Sequence, residues 1–256
     1  MTSDAQRKRA LDDIRENIVR SGYHVYLVFG GTTPRFAYTI GVSEALGFEL
    51  VLAGAVFYMR DEVGKIIRDA IVQLKASPDR QLVEITALGS FTLRRVDSSW
   101  ARELMLGAFD YYQKSDIPAL QIVPDRDHWT IDVPNMSLPW SVVQEPVWRW
   151  MREQWIYPVP EDSTAVTDLA ALRGDRITEA CRWEEDGWEL FAGAGPDVPK
   201  DEMRVVSLGT LLAIDASLEP VMNLAIGDGL WRDDSSDWHV WVKKHTPVDA
   251  EQKPED

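Results

Sequence analysis

Three runs of strand-forming residues stand close together early in this chain, at Tyr23–Phe29, Arg35–Val42 and Glu49–Val56, and they restrict its possible folds more than any other feature. Within the middle run Phe36, Tyr38 and Ile40 alternate with Ala37 and Thr39, the period-two pattern of a strand whose faces meet different surroundings. Gly30-Gly31-Thr32-Thr33-Pro34 supplies the turn before it, because glycine reaches positive φ cheaply and proline fixes the re-entry. Gly41 ends the regular run. The stretch reads as a central strand of an α+β core. A sharper reading sets Arg35, Tyr38 and Thr39 around a pocket at the strand end.

Helical periodicity surrounds these strands. Ser3 with Gln6 makes a capping box for a helix over 3–21, with Leu11, Ile14, Ile18 and Val19 on one face. A second helix over 60–74 carries Val63, Ile66, Ile67, Ala70, Ile71 and Leu74 at intervals of three and four, a core stripe. Strands are predicted over 81–86 and 90–96. Asp97-Ser98-Ser99 then caps a third helix reaching Tyr112, and a short strand at Pro118–Pro124 opens into Asp125-Arg126-Asp127-His128. This order predicts a layered α+β domain over 1–133 with a mostly antiparallel sheet.

Residues 134–162 read as a packed connector, because a flexible linker punctuated by five prolines would not also carry Trp140, Trp148, Trp150 and Trp155. A short helix is expected around 147–154. A second α+β domain, again a mostly antiparallel sheet with helices, is predicted over 163–242. It has strands over 177–182 and 187–191, a helix capped by Ser207, a helical turn starting at Pro220 and a hairpin over 229–242. Residues 243–256 are polar and read as a disordered tail.

Charge divides the chain the same way. Residues 1–160 hold 18 Lys and Arg against 20 Asp and Glu, a net −2, whereas residues 161–256 hold 9 against 22, a net −13. The total of −15 argues against a nucleic-acid partner, which needs a basic surface. The apolar run Leu50–Tyr58 is far too short for a bilayer, and no signal pattern opens the sequence, so a cytoplasmic location without membrane association is expected. One cysteine, Cys181, leaves no intrachain disulfide and no cysteine-based zinc site.

Pro34, Phe36–Gly41, Pro118, Leu120, Gln121, Pro124 and Asp125 resemble the recurring segments of a bacterial family, domain of unknown function 4262. Arg35 is an insertion in that pattern and Val42 replaces a leucine. The resemblance implies a fold and no activity. Arg182, Glu184, Asp186, Gly187, Trp188, Phe191, Gly193, Gly227, Arg232 and Asp233 more loosely resemble domain of unknown function 2185, related to the immunity-protein-33 type of polymorphic-toxin systems. That resemblance implies a cytoplasmic protein-binding role.

Catalytic signatures are sparse. No histidine pair has metal-ligand spacing, and there is no P-loop, no Gly-x-Gly-x-x-Gly and no Gly-x-Ser-x-Gly, so neither metal nor cofactor is expected. The first reading is therefore an immunity-type module that sequesters a basic protein such as a toxin. Its contacts would come from two acidic turns adjoining tryptophan, Glu184-Glu185-Asp186 with Trp188 and Asp233, Asp234 and Asp237 with Trp238. The alternative is an enzyme or small-anion-binding protein whose pocket gathers Arg35, Tyr38, Thr39, Asp125, Arg126 and His128. Against that pocket stands a purely structural ion-paired turn at Asp125–His128.

Overall fold

In the computed structural model, residues 3–233 and 237–241 are described, and they form an α+β protein with two six-stranded mixed sheets. Chain order is α1 (Ser3–Ser21), β1 (His24–Val28), β2 (Phe36–Ile40), α2 (Ser43–Leu46), β3 (Glu49–Ala53) and α3 (Arg60–Ala76). There follow β4 (Leu82–Ile85), β5 (Gly89–Arg95), α4 (Ser98–Leu104), α5 (Leu106–Tyr112) and β6 (Ala119–Pro124). The first sheet runs β1-β2-β3-β6-β5-β4, with β3 and β6 parallel and every other pair antiparallel.

All five residues of β2 and of β3 are buried, since both faces of this sheet are covered. Ala37, Leu50, Leu52 and Ile122 pack with the stripe of α3, while Phe36, Tyr38, Ile40 and Val51 face α1, α4 and Trp148. The helix expected to run unbroken to Tyr112 is two helices. Gly107 N–H bonds to the Tyr38 hydroxyl at 3.1 Å instead of to its own helix, and an added Cβ at Gly107 would sit 2.7 Å from that oxygen.

The connector contains a 3-10 turn at Pro146–Met151 rather than an α-helix, and its indoles are fastened at both ends. Trp148 is fully buried, meets Trp100 edge-on at 5.7 Å and donates to Asp132 O at 3.0 Å. Trp150 donates to Gly209 O at 2.9 Å.

Beyond it come β7 (Thr164–Asp168), α6 (Leu169–Leu172), β8 (Glu179–Arg182), β9 (Gly187–Phe191), β10 (Met203–Ser207), α7 (Leu208–Ile214), β11 (Gly229–Trp231) and β12 (His239–Val240). The second sheet runs β10-β7-β9-β8-β11-β12, with β7 and β9 as its parallel pair. Ala165, Ala180, Leu190 and Leu230 on its inner face pack under Leu208, Leu211 and Leu218. Pro220 lies inside the 3-10 segment Ala216–Asn223 instead of opening a helical turn. Ser207 does not cap α7 through its side chain; the hydroxyl donates to Thr32 O at 2.8 Å and ties the two halves together. Buried Arg204 does the same through Val56 O and Phe57 O. The predicted tail over 243–256 and the tip residue Asp234 fall outside the described residues.

Candidate functional site

The six residues predicted to share a pocket stand in four places: β2 sends Tyr38 and Thr39 to opposite faces, Asp125, Arg126 and His128 share the turn after β6, and Arg35 lies just before β2. Tyr38 turns into the core beneath α5, where burial pushes its phenol well above its ordinary value. Thr39 donates to Glu49 Oε2 at 2.5 Å, within a buried cluster in which the Glu49 carboxylate also accepts from Gly41 N, Ser43 N and the Tyr112 hydroxyl. Those donors satisfy the carboxylate and clamp β2 to β3. Asp125 and His128 pair at 2.6 Å around a 3-10 turn, and the imidazole stacks on Tyr58 with ring centres 5.6 Å apart. Burial alone would raise Asp125, but bonds from Ser90 N–H and His128 outweigh it and hold the carboxyl below its usual range. Arg126 opens this turn and is exposed. The six therefore do not make one pocket.

Arg35 takes a different environment. It lines a cavity of about 310 Å³ between the two halves, with Phe29, Val56, Asp132, Val206 and Thr210 among its walls. Its guanidinium donates to Ala55 O at 2.7 Å and to Tyr58 O, while its Nε is buried without a hydrogen-bond partner. The Thr210 hydroxyl, on α7, is likewise buried and unpartnered. Asp132 is 2% exposed and accepts from the Thr130 hydroxyl at 2.6 Å and from Val56 N–H at 3.2 Å. Burial raises the Asp132 carboxyl above its ordinary value and lowers the Arg35 guanidinium below its own, against their mutual attraction. At the rim the exposed Arg60 lies over the Phe29 ring at 4.7 Å.

Sequence reading missed Asp132 and Thr210. The available signal was a threonine within the otherwise apolar Leu208-Gly209-Thr210-Leu211-Leu212, a polar group on a core face.

The outer face of the second sheet is the other candidate. It carries a groove of about 290 Å³ lined by Glu179, Cys181, Trp183, Glu189, Phe191 and Trp241, among others. Trp183, Trp231 and Trp241 are 50%, 40% and 38% exposed. Trp183 donates to Glu189 Oε2 at 2.7 Å, and Glu179 accepts from Gly195 N at 2.8 Å, so both carboxylates are held in place. Of the residues predicted for partner binding, Glu184, Glu185, Asp186, Asp233 and Asp237 are exposed, and Asp234 is outside the described residues. The register of β8 with β9 and β11 sets Glu184–Asp186 and Asp233 at opposite ends of the strands.

One anchor, Trp188, needs correction, and the half-buried Trp238 has a structural role of its own. Trp188 is 2% exposed in the core, its ring under Arg182 at 5.1 Å, so no partner can reach it. Trp238 donates to Ser217 O at 2.9 Å and lies under the buried Arg232 at 4.2 Å, which makes it a cover for a buried cation. Arg232 itself is paired with Asp215 at 2.7 Å. Among the described residues no three His, Cys, Asp or Glu side chains converge as a metal site, and no helix is long and apolar enough to cross a membrane.

Residues 17–130 match the model of a family described as a domain of unknown function, DUF4262. The match takes in the strands of the first sheet and Arg35, and it stops short of Asp132, Thr210 and the second sheet. No curated protein and no solved structure matches the chain.

Proposed function

We propose that this chain, whose first sheet carries the DUF4262 likeness, is a protein-binding module of the toxin-immunity type that captures a basic partner on the outer face of its second sheet. One observation supports this reading above others: three partly exposed tryptophans stand on one acidic sheet face with ordered carboxylates between them. Aromatic side chains supply contact area at small entropic cost and dominate binding energy at interface centres. The surrounding carboxylates, in a segment of net −13, raise the encounter rate with a cation-rich surface.

The expected partner is the protein encoded by the adjacent reading frame, and co-expression should protect cells from it. With that partner purified, Trp183→Ala or Trp241→Ala should speed dissociation by a factor of about 30, the equivalent of roughly 2 kcal/mol at an interface anchor. Charge reversal at Glu184, Glu185, Asp233 and Asp234 should instead slow association at low salt and leave dissociation nearly unchanged. Dissociation rates unmoved by both tryptophan variants would rule out this face as the interface.

A further inference from the structure

We propose that the cavity between the two halves binds a small carboxylate with an apolar body, independently of the protein-binding face. The argument starts from Arg35. A guanidinium taken out of water loses solvation that carbonyl oxygens restore only in part, so buried cations are found with an anion beside them. Arg35 has the Ala55 and Tyr58 carbonyls and an unpartnered Nε, and among the described residues no carboxylate comes within ion-pairing distance of it. Of the two buried arginines of the second half, Arg232 has Asp215 for that purpose, and Arg204 has four backbone carbonyls, of Val56, Phe57, Asp201 and Met203, where Arg35 has two. Where Arg232 meets a carboxylate, Arg35 meets two carbonyls and the wall of the cavity.

That space is suited to one kind of occupant. Its exposed walls are chiefly apolar, from Leu27, Phe29, Pro34, Val56 and Val206, with Thr33, Thr164 and Ser207 adding polar groups to those of Arg35, Asp132 and Thr210. Such a division, an apolar body and a few fixed polar groups, is the usual form of a small-molecule site. At roughly 30 Å³ per water-sized group, the volume holds about ten non-hydrogen atoms. The Nε and Nη1 groups of Arg35 and the Thr210 hydroxyl make no hydrogen bond within the protein, which leaves donors for the two oxygens of a carboxylate. Asp132 in the same wall also disfavours a second negative charge. Arg60 at the rim adds a cation on the approach.

The position matters as much as the chemistry. Arg35 directly precedes β2 of the first sheet and Thr210 is on α7 above the second, so an occupied site bridges both. The test uses the full chain with two matched pairs of probes, benzoate against benzamide and hexanoate against hexanamide, followed by calorimetry and thermal shift. Both carboxylates are expected to bind, each at least tenfold more tightly than its amide, and to raise the melting temperature with concentration. Arg35→Gln should abolish that preference. Because it also removes the bonds to Ala55 and Tyr58, Thr210→Val is the safer variant: its hydroxyl has no protein partner, so the fold should be unaffected while carboxylate affinity falls three- to tenfold. Amides binding as well as carboxylates, no binding of either carboxylate up to millimolar concentration, or unchanged affinity in Thr210→Val would each overturn the assignment.

Discussion

Asp132 and Asp215 are both carboxylates near a buried arginine, yet they respond to burial in opposite ways. Asp132 is raised above its ordinary value because desolvation exceeds everything its donors return. The folded state therefore binds a proton more readily than the unfolded chain there, and stability falls as pH rises from the unfolded carboxylate value through the raised one. Asp215 is also pulled up by burial, but Ser217 and Arg232 outweigh that and leave it lowered. Its contribution is present above the unfolded value and is lost as pH falls through the depressed one. Denaturation curves of Asp132→Asn and Asp215→Asn across pH 3 to 8 should diverge from wild type in opposite directions. Asp132→Asn gains relative stability as pH rises, whereas Asp215→Asn loses about 3 kcal/mol near neutrality, leaving Arg232 buried without its anion, and converges with wild type in acid. Parallel curves for Asp132→Asn and wild type would mean that the cavity solvates that carboxylate better than its burial implies.

At the scale of elements, the short connector turn carries more of the stability than its length suggests. Trp148→Ala should cost about 3–5 kcal/mol by emptying a filled core position, and Trp148→Phe, which keeps most of the volume but loses the bond to Asp132 O, markedly less. Equal costs for the two would assign the effect to the hydrogen bond alone. The packing role of this segment was legible, since four tryptophans between prolines are too much apolar surface to leave in water. So were α3 and the strands of the first sheet, whose apolar period is undiluted, and α1, although Val19, expected on its inner face with Leu11, Ile14 and Ile18, is 88% exposed. Two strands of the second sheet were not. Thr164–Asp168 reads Thr-Ala-Val-Thr-Asp and is small and polar because Ala165 lies beside the bulk of Trp188, so the apolar signal resides in its neighbour. Met203–Ser207 interposes Arg204, whose burial depends on the Val56 and Phe57 carbonyls far back in the chain. The cavity was invisible for the same reason: Arg35, Asp132 and Thr210 meet only after both sheets are docked.

For the whole molecule, the two sheets share too many fixed contacts to behave as beads on a string. Thr32 O with Ser207, Gly209 O with Trp150 and Ile131 N with Leu172 O all cross between the halves. Gly54, at φ +68°, lets the chain after β3 pass so near Asp132 O that a Cβ would stand 2.0 Å from it, and the adjoining Val56 reaches the second core. Calorimetry should therefore give one cooperative transition. A fragment ending at residue 133, lacking Trp148 and α7, should show no cooperative unfolding; a sharp transition with native near-ultraviolet dichroism would refute the shared core. The parallel pairing of β3 with β6 has its own consequence for a chain made from its N-terminus. While α3, β4 and β5 are still emerging, β3 is an apolar strand with one open edge, and only the arrival of β6 closes it. Until Pro124 has left the ribosome, the nascent chain holds a sticky edge in waiting, and delay at that stage favours intermolecular pairing over folding.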